Sequence, residues 1–243
     1  MCGRYTVPDH QEWSDRVDGH QLGLPGLFPE VLAFRPTWNA APSQQLPVIV
    51  QNRDGQREAR LFHWGLLTRQ AAPGSKAPRP INARIETIRE RPMFRRLLPQ
   101  RRCLVPATGY YEWMTLGDRK EPWALRPTDQ TIFAIAGLYD AWLGPDGQVV
   151  GSFCLLTVPP AGLVREIHDR MPAILRTPEE EARWISRSDD VASVLELARP
   201  YPDDRIAAHP VSMRVNNVRN DGPELVDRIT GPDGRVLKRY RHG

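Results

Sequence analysis

Cysteine is scarce in this chain. Its 243 residues hold three, Cys2, Cys103 and Cys154. An odd number at unrelated spacings excludes a disulfide framework and a clustered zinc site, so no metal and no other cofactor is expected. Long apolar runs are missing too. No stretch reaches the ~18 residues that a membrane-spanning helix needs, and the opening residues, with Cys2, Arg4, Asp9 and His10, lack the apolar centre of a signal peptide. The expected location is cytoplasmic, with no membrane partner. Lysine is nearly absent: of 33 basic residues only Lys76, Lys120 and Lys238 are Lys, which leaves 30 Arg. There is no glycine-rich phosphate loop and no regular alternation of strand and helix, which excludes a doubly wound nucleotide-binding fold.

What is present points to a basic, turn-rich protein. The formal net charge is +4 and the pI about 9.2, a balance that favours an anionic partner. Arginine suits bidentate contacts with phosphate. A GC-rich genome would also enrich Arg codons, so the count alone does not establish nucleic-acid binding. The 24 Pro and 18 Gly are spread along the whole chain, which describes many turns and short elements without a linker between domains. The segment from Ala71 to Pro78 reads as an exposed loop.

Strands are expected at Leu46–Gln51, Arg60–Trp64, Cys103–Pro106, Ile132–Leu138, Ser152–Val158 and Ala207–Val211, where β-branched and aromatic residues cluster. Asn52-Arg53-Asp54-Gly55 and Pro145-Asp146-Gly147 have hairpin-turn chemistry. A helix should start at Thr177-Pro178-Glu179-Glu180, which offers an N-cap, Pro at the first helical position and Glu at the third. A second should cover Asp189–Ala198, with Val191, Val194, Leu195 and Ala198 on one face. A third should run from Pro160 to His168 with Leu163, Val164 and Ile167 inward. Arg84–Leu98 is helical in pattern but interrupted by Pro92. Together these elements predict a single α+β domain organised around antiparallel strands.

Four segments carry residues with chemical potential. Removal of Met1 would leave Cys2 with a free α-amine and a thiol on adjacent carbons, two nucleophiles that can close a thiazolidine ring on one aldehyde carbon. Gly3 beside it permits close backbone approach to a ligand. In Ile81-Asn82-Ala83-Arg84-Ile85-Glu86, Asn82 and Arg84 are two apart and would share a side of an extended stretch. In Gly109-Tyr110-Tyr111-Glu112-Trp113, the aromatic neighbours would desolvate the Glu112 carboxylate and raise its pKa into acid–base territory. In Ile167-His168-Asp169-Arg170-Met171-Pro172, His168 titrates near neutrality and Arg170 suits a phosphate. Each also has a structural reading: a frayed terminus, a helix cap, an outward-pointing carboxylate, a helix C-cap. As a set they make the inventory of a covalent site facing an anion.

Read in order, Cys2-Gly3-Arg4, Asn39-Ala40-Ala41-Pro42, Trp64-Gly65-Leu66, Asn82-Ala83-Arg84-Ile85-Glu86-Thr87, Arg102-Cys103-Leu104-Val105-Pro106, Gly109-Tyr110-Tyr111-Glu112-Trp113, Ala136-Gly137-Leu138, His168-Asp169-Arg170-Met171-Pro172 and Val215-Asn216-Asn217 resemble the SOS-response-associated peptidase family, also called the abasic-site processing proteins. The resemblance spans residues 2–220, leaving 221–243 as a basic tail. It implies a curved, barrel-like antiparallel sheet with peripheral helices. It also implies a monomer that cross-links covalently to abasic sites in single-stranded DNA, associating with the nucleoid when bound. On the same resemblance Cys2 is the nucleophile, and Asn82, Glu112 and His168 match the other catalytic positions. Arg4, Arg84 and Arg170 fall where the family contacts DNA phosphates, and Asn39 and Pro42 lie on a loop near the site. One departure stands out. The family's Pro-x-Trp stretch after Trp-Gly-Leu is replaced by Leu67-Thr68-Arg69-Gln70, which lacks the aromatic that packs on a duplex end.

The Schiff base formed before ring closure also permits β-elimination, so a lyase side activity is expected. Two other functions fit the same residues. One is an N-terminal-nucleophile peptidase or amidase using Cys2, with Asn82 as oxyanion donor. The other is a non-catalytic single-stranded DNA-binding module in which Cys2 has no part.

Overall fold

The computed structural model describes residues 2–14, 29–67, 78–143, 147, 149–187 and 190–229. Five strands close a barrel: β3 (Gln45–Gln51), β4 (Arg57–Trp64), β6 (Arg102–Ala107), β9 (Phe133–Leu143) and β10 (Val149–Val158). They follow the order β10-β4-β3-β6-β9, and β9 returns to β10. Closure leaves few exposed strand edges. The seams are antiparallel except where β10 meets β4 in parallel. A short strand, β5 (Asn82–Arg84), extends that parallel seam, pairing Leu155 with Asn82 and Thr157 with Arg84. Two-residue strands β11 (Met171–Pro172) and β12 (Ile174–Leu175) edge β10 and β9.

A second sheet, antiparallel throughout, has the order β13-β8-β7-β1-β2. Its strands are β1 (Arg4–Val7), β2 (Thr37–Ala40), β7 (Gly109–Leu116), β8 (Arg119–Pro127) and β13 (Ile206–Pro210). Side chains alternate between its two faces. Tyr5 and Tyr110 join the main core with Trp64 and Phe153 of the barrel. Tyr111 and Ala124 face the other way, under Val211 and Val215. Tyr5 meets Trp64 edge to face, with ring centroids 5.1 Å apart. The barrel and the second sheet therefore share one hydrophobic core, and β1 carries the N-terminus into it.

All six expected strands form. The β3–β4 hairpin closes as its turn residues predict: the Asn52 side chain accepts from the backbone N–H of Asp54 and Gln56, and Gly55 adopts φ +83°. Thr177 caps the helix Pro178–Ile185 by accepting from the Glu180 N–H, with Pro178 at the first position. Asp190 caps the helix Val191–Leu195; Asp189 lies outside the described residues, as do residues 71–77 of the expected loop, Pro145 and Asp146 of the second expected turn, and Arg69.

Two expectations change, and part of the basic tail is ordered. The helix before His168 is Gly162–Ile167, and Leu163 is on its exposed side while Val164 and Ile167 are buried. Leu163 is one residue, about 100°, away from Val164, and burying Val164 and Ile167 turns Leu163 outward. Pro92 does not merely interrupt a helix: it begins the helix Pro92–Arg95 at a position where its missing N–H costs nothing. The body of the fold also continues past residue 220. The Asp221 carboxylate accepts from the Trp38 N–H at 2.7 Å, Leu225 is fully buried, and the Ile229 N–H donates to the Pro210 carbonyl at 3.2 Å. Residues 230–243 lie outside the described residues.

Candidate active site

Cys2 leads directly into β1 and is fully buried. The register of β1 with β7 pairs Arg4 with Tyr111 and Tyr5 with Tyr110. Continued by one residue, it sets Glu112 opposite Gly3. Because Glu112 is two residues beyond Tyr110, it turns to the same core-facing side of the sheet, where it is 1% exposed. From the barrel, β5 brings Asn82, whose Nδ2 donates to the Cys2 carbonyl at 2.9 Å. The helix Gly162–Ile167 ends at His168, where the backbone turns extended and the ring approaches the sheet. His168 Nε2 lies 3.7 Å from Glu112 Oε2. The structure thus gathers Cys2, Asn82, Glu112 and His168, which come from four separate elements, at the seam between sheet and barrel.

Burial sets the electrostatics of this seam. It pushes the Glu112 carboxyl up to about 8, outweighing the opposing pull of the chain's amino terminus. It pushes the Cys2 thiol far above its usual range, and the negative charge of Glu112 adds to that rise. It lowers His168, with the amino-terminal charge as the next cause. At pH 7 Glu112 is therefore a neutral acid, His168 a neutral imidazole and Cys2 a thiol. The Arg170 N–H donates to His168 Nδ1 at 3.0 Å, which leaves the ring's own proton on Nε2, the nitrogen facing Glu112. Asp169, at the exposed rim, lies 2.9 Å from Nδ1 and favours the charged ring. Asn82 is held in a strand, not at a helix cap: the cap of the 3-10 helix Ile85–Thr87 is Arg84. Its Oδ1 is buried without a hydrogen-bond partner, an unused acceptor beside Cys2.

The arginines divide by environment. Arg84 is exposed at the end of β5. Arg4 donates to Asn39 Oδ1 at 2.7 Å and to the Val215 and Asn216 carbonyls. Arg170 is buried and donates to the Thr157 carbonyl at 2.6 Å while forking onto Glu86 at 2.6 and 3.0 Å; the fork holds the Glu86 carboxyl below its usual range. Asn39 does not lie on a loop: it is in β2, 1% exposed. Its Nδ2 donates to the carbonyls of Val215, Asn217 and Asn220 at 3.2, 3.1 and 2.8 Å. Three carbonyls of the 215–220 segment thus converge on one buried amide. Pro42 is half-buried in the turn that follows. Sequence reasoning passed over the Glu86 and Thr157 partners of Arg170; the bidentate carboxylate geometry that Arg prefers is a signal, but residues 84 and 13 positions away offer no spacing to read. It also passed over the hydroxyls of Tyr5 and Tyr110, which are buried without partners near Cys2.

With this geometry in place, comparison with known proteins is specific. A model of the SOS response associated peptidase (SRAP) family matches residues 1–218. The chain belongs to the SOS response associated peptidase family. Among its SRAP relatives, the abasic site processing protein YoqW of Bacillus subtilis (strain 168) is 36% identical over 229 residues, covering 93% of this chain and 99% of YoqW. The abasic site processing protein HMCES of Mus musculus is 29% identical over 268 residues, covering 93% of this chain and 75% of HMCES. A crystal structure from Bacteroides thetaiotaomicron superposes with a TM-score of 0.69 at 32% identity, covering 77% of this chain and 82% of that one. A Bordetella bronchiseptica protein, at 23% identity and a TM-score of 0.70 over 87% of this chain and all of that one, shares the fold. Among the described residues no helix is long and apolar enough to cross a membrane, and no group of His, Cys, Asp and Glu is arranged to hold a metal ion.

Proposed function

We propose that this protein captures abasic sites in single-stranded DNA as a thiazolidine on Cys2 once Met1 has been removed, acting as a cytoplasmic monomer at the nucleoid and shielding the lesion. Its relatives are named abasic site processing proteins. The observation that carries the reading is the junction of Asn82, Glu112 and His168 around the Cys2 backbone, 2.9 Å at one contact and 3.7 Å at the next.

An abasic deoxyribose is partly an open-chain aldehyde. The α-amine of Cys2, with an ordinary pKa near 8, attacks the carbonyl carbon to give a carbinolamine. Glu112, protonated at neutral pH, supplies the proton that lets water leave and the imine form. His168 Nε2–H faces the same carboxyl and orients it, and the proton returns to Glu112 from the iminium nitrogen as the neutral imine forms. Asn82 holds the Cys2 carbonyl through Nδ2, and its Oδ1 orients the freed amine. The Cys2 sulfur then adds to the imine carbon. Its lone pair forms the C–S bond, the C=N π pair becomes the nitrogen lone pair, and the thiol proton ends on nitrogen. One water is released overall. The exposed Arg84 meets flanking phosphate directly, while Arg4 and Arg170 shape the phosphate-facing rim through the segments they hold; Asn39 and Pro42 support that rim. Single-stranded DNA suits a buried nucleophile because no base pair has to open to present the sugar. The imine also permits β-elimination, a lyase side reaction.

The test is a denaturing gel of Met1-trimmed protein mixed with abasic single-stranded oligonucleotide. A retarded band that resists denaturation is expected; its absence, or its persistence in Cys2→Ala, overturns the reading.

A further inference from the structure

The capture step leaves one physical difficulty unanswered. The Cys2 thiol points at the Arg4 carbonyl oxygen, 3.6 Å away, a contact that suits S–H and repels a thiolate. Burial and the charge of Glu112 both oppose ionisation. A sulfur that loses its proton there needs a hydrogen-bond donor; Asn82 Nδ2 is taken by the Cys2 carbonyl, and His168 Nε2 faces Glu112.

Two donors in the same buried shell are uncommitted. The hydroxyls of Tyr5 and Tyr110, both fully buried, have no hydrogen-bond partner. The two residues are cross-strand partners in the β1–β7 register, and both share the main core with Cys2. A buried hydroxyl left unpaired costs about 1–3 kcal/mol, and phenylalanine would fill the same space without that cost. Tyr110 is the better placed of the two. It stands two residues before Glu112 on β7, so both side chains leave the strand on one side. Burial is the first cause raising both hydroxyls; after it come Cys2 and Glu112 for Tyr110, and Cys2 and Cys103 for Tyr5. Tyr5 is also turned edge-on to Trp64.

We propose that the Tyr110 hydroxyl is the hydrogen-bond donor that receives the Cys2 sulfur as it turns from the Arg4 carbonyl and adds to the imine. Tyr110 keeps its own proton throughout. The thiol proton passes to the imine nitrogen as that atom gains an electron pair, and the O–H···S bond stabilises the sulfur while it carries negative charge. This role deepens the cross-linking function proposed above and rests on it.

The test compares wild-type and Tyr110→Phe protein, both trimmed of Met1, in adduct formation with abasic single-stranded oligonucleotide from pH 5 to 9. Tyr110→Phe should slow ring closure about tenfold to a hundredfold and move the rising limb of the pH profile upward by about one unit. Its melting temperature should equal or exceed that of the wild type, because an unpaired buried hydroxyl is gone. Affinity for an oligonucleotide with a tetrahydrofuran abasic analogue, which offers no aldehyde, should not change. Replacing Tyr110 by 3-fluorotyrosine, a more acidic donor, should move the limb downward. Equal rates and coincident pH profiles for wild type and Tyr110→Phe overturn this role and leave the cross-linking function standing. A wild type that forms no adduct overturns both.

Discussion

His168 Nε2 stands 3.7 Å from Glu112 Oε2, and the pair meets as neutral imidazole and carboxylic acid at pH 7. Burial is the first cause on both sides, raising Glu112 to about 8 and lowering His168. A Glu that keeps its proton at neutral pH is a general acid already loaded for loss of water from a carbinolamine.

Glu112→Gln should therefore slow adduct formation by about 10²-fold or more. In the wild type the rate should fall as the pH passes about 8, where Glu112 loses its proton. In Glu112→Gln that falling limb should vanish. Single-turnover kinetics across pH 6–9.5 read both effects, and an unchanged rate in the variant removes Glu112 from the chemistry.

The same group makes a statement about stability. Its folded pKa, about 8, lies above the ordinary 4.5, so between those values the folded state binds more protons than the unfolded state. Stability contributed by the protonated carboxyl is complete below about pH 4.5 and is lost as pH rises through about 8. Urea midpoints should decline from pH 6 to pH 9, and Glu112→Gln should flatten that decline. A steeper slope in the variant contradicts the assignment.

Asn39 fastens the 215–220 segment. Its side chain accepts from Arg4 and donates to three carbonyls of the 215–220 segment. Asn39→Ala should cost about 2–4 kcal/mol, since several buried partners lose their contact at once. Hydrogen exchange should accelerate selectively at residues 215–220 and leave the barrel strands protected.

Arg170 and Arg84 separate holding from binding. Arg170→Ala removes a buried guanidinium and leaves the Thr157 carbonyl without its donor, and should cost about 1–3 kcal/mol of stability. Arg84→Ala, at an exposed position, should leave the melting temperature near its wild-type value. It should lower affinity for single-stranded DNA and reduce the dependence of log affinity on log salt by about 0.7. Equal thermal stability of the two variants would refute the buried role of Arg170.

How much of this was legible beforehand varies with range. The six expected strands and the Thr177 cap were legible because hairpin turns and helix caps are local codes. β1, β2, β5, β7 and β8 were not expected; the first three are three or four residues long and exist only by pairing with a distant strand. The parallel seam of β5 on β10 joins residues 73 positions apart, and no periodicity reports it. At the site, Cys2, Asn82, Glu112 and His168 were legible as types, and the expected rise of Glu112 is present, but its cause is burial at the seam: Tyr111 and Trp113, its immediate neighbours, belong to the cluster on the other face. What stayed hidden was the commitment of side chains across the fold. Arg170 reads as a surface phosphate ligand until Glu86 and Thr157 close on it, and Tyr110 reads as core until its hydroxyl is seen without a partner.

The central claim is covalent capture at Cys2, and intact mass spectrometry tests it most directly. Purified protein should lack the mass of Met1. After mixing with an abasic single-stranded oligonucleotide under denaturing work-up, it should gain the mass of the oligonucleotide less one water, with the modification on the Cys2 peptide. Recovery of unmodified protein, or attachment at any residue other than Cys2, would contradict the account.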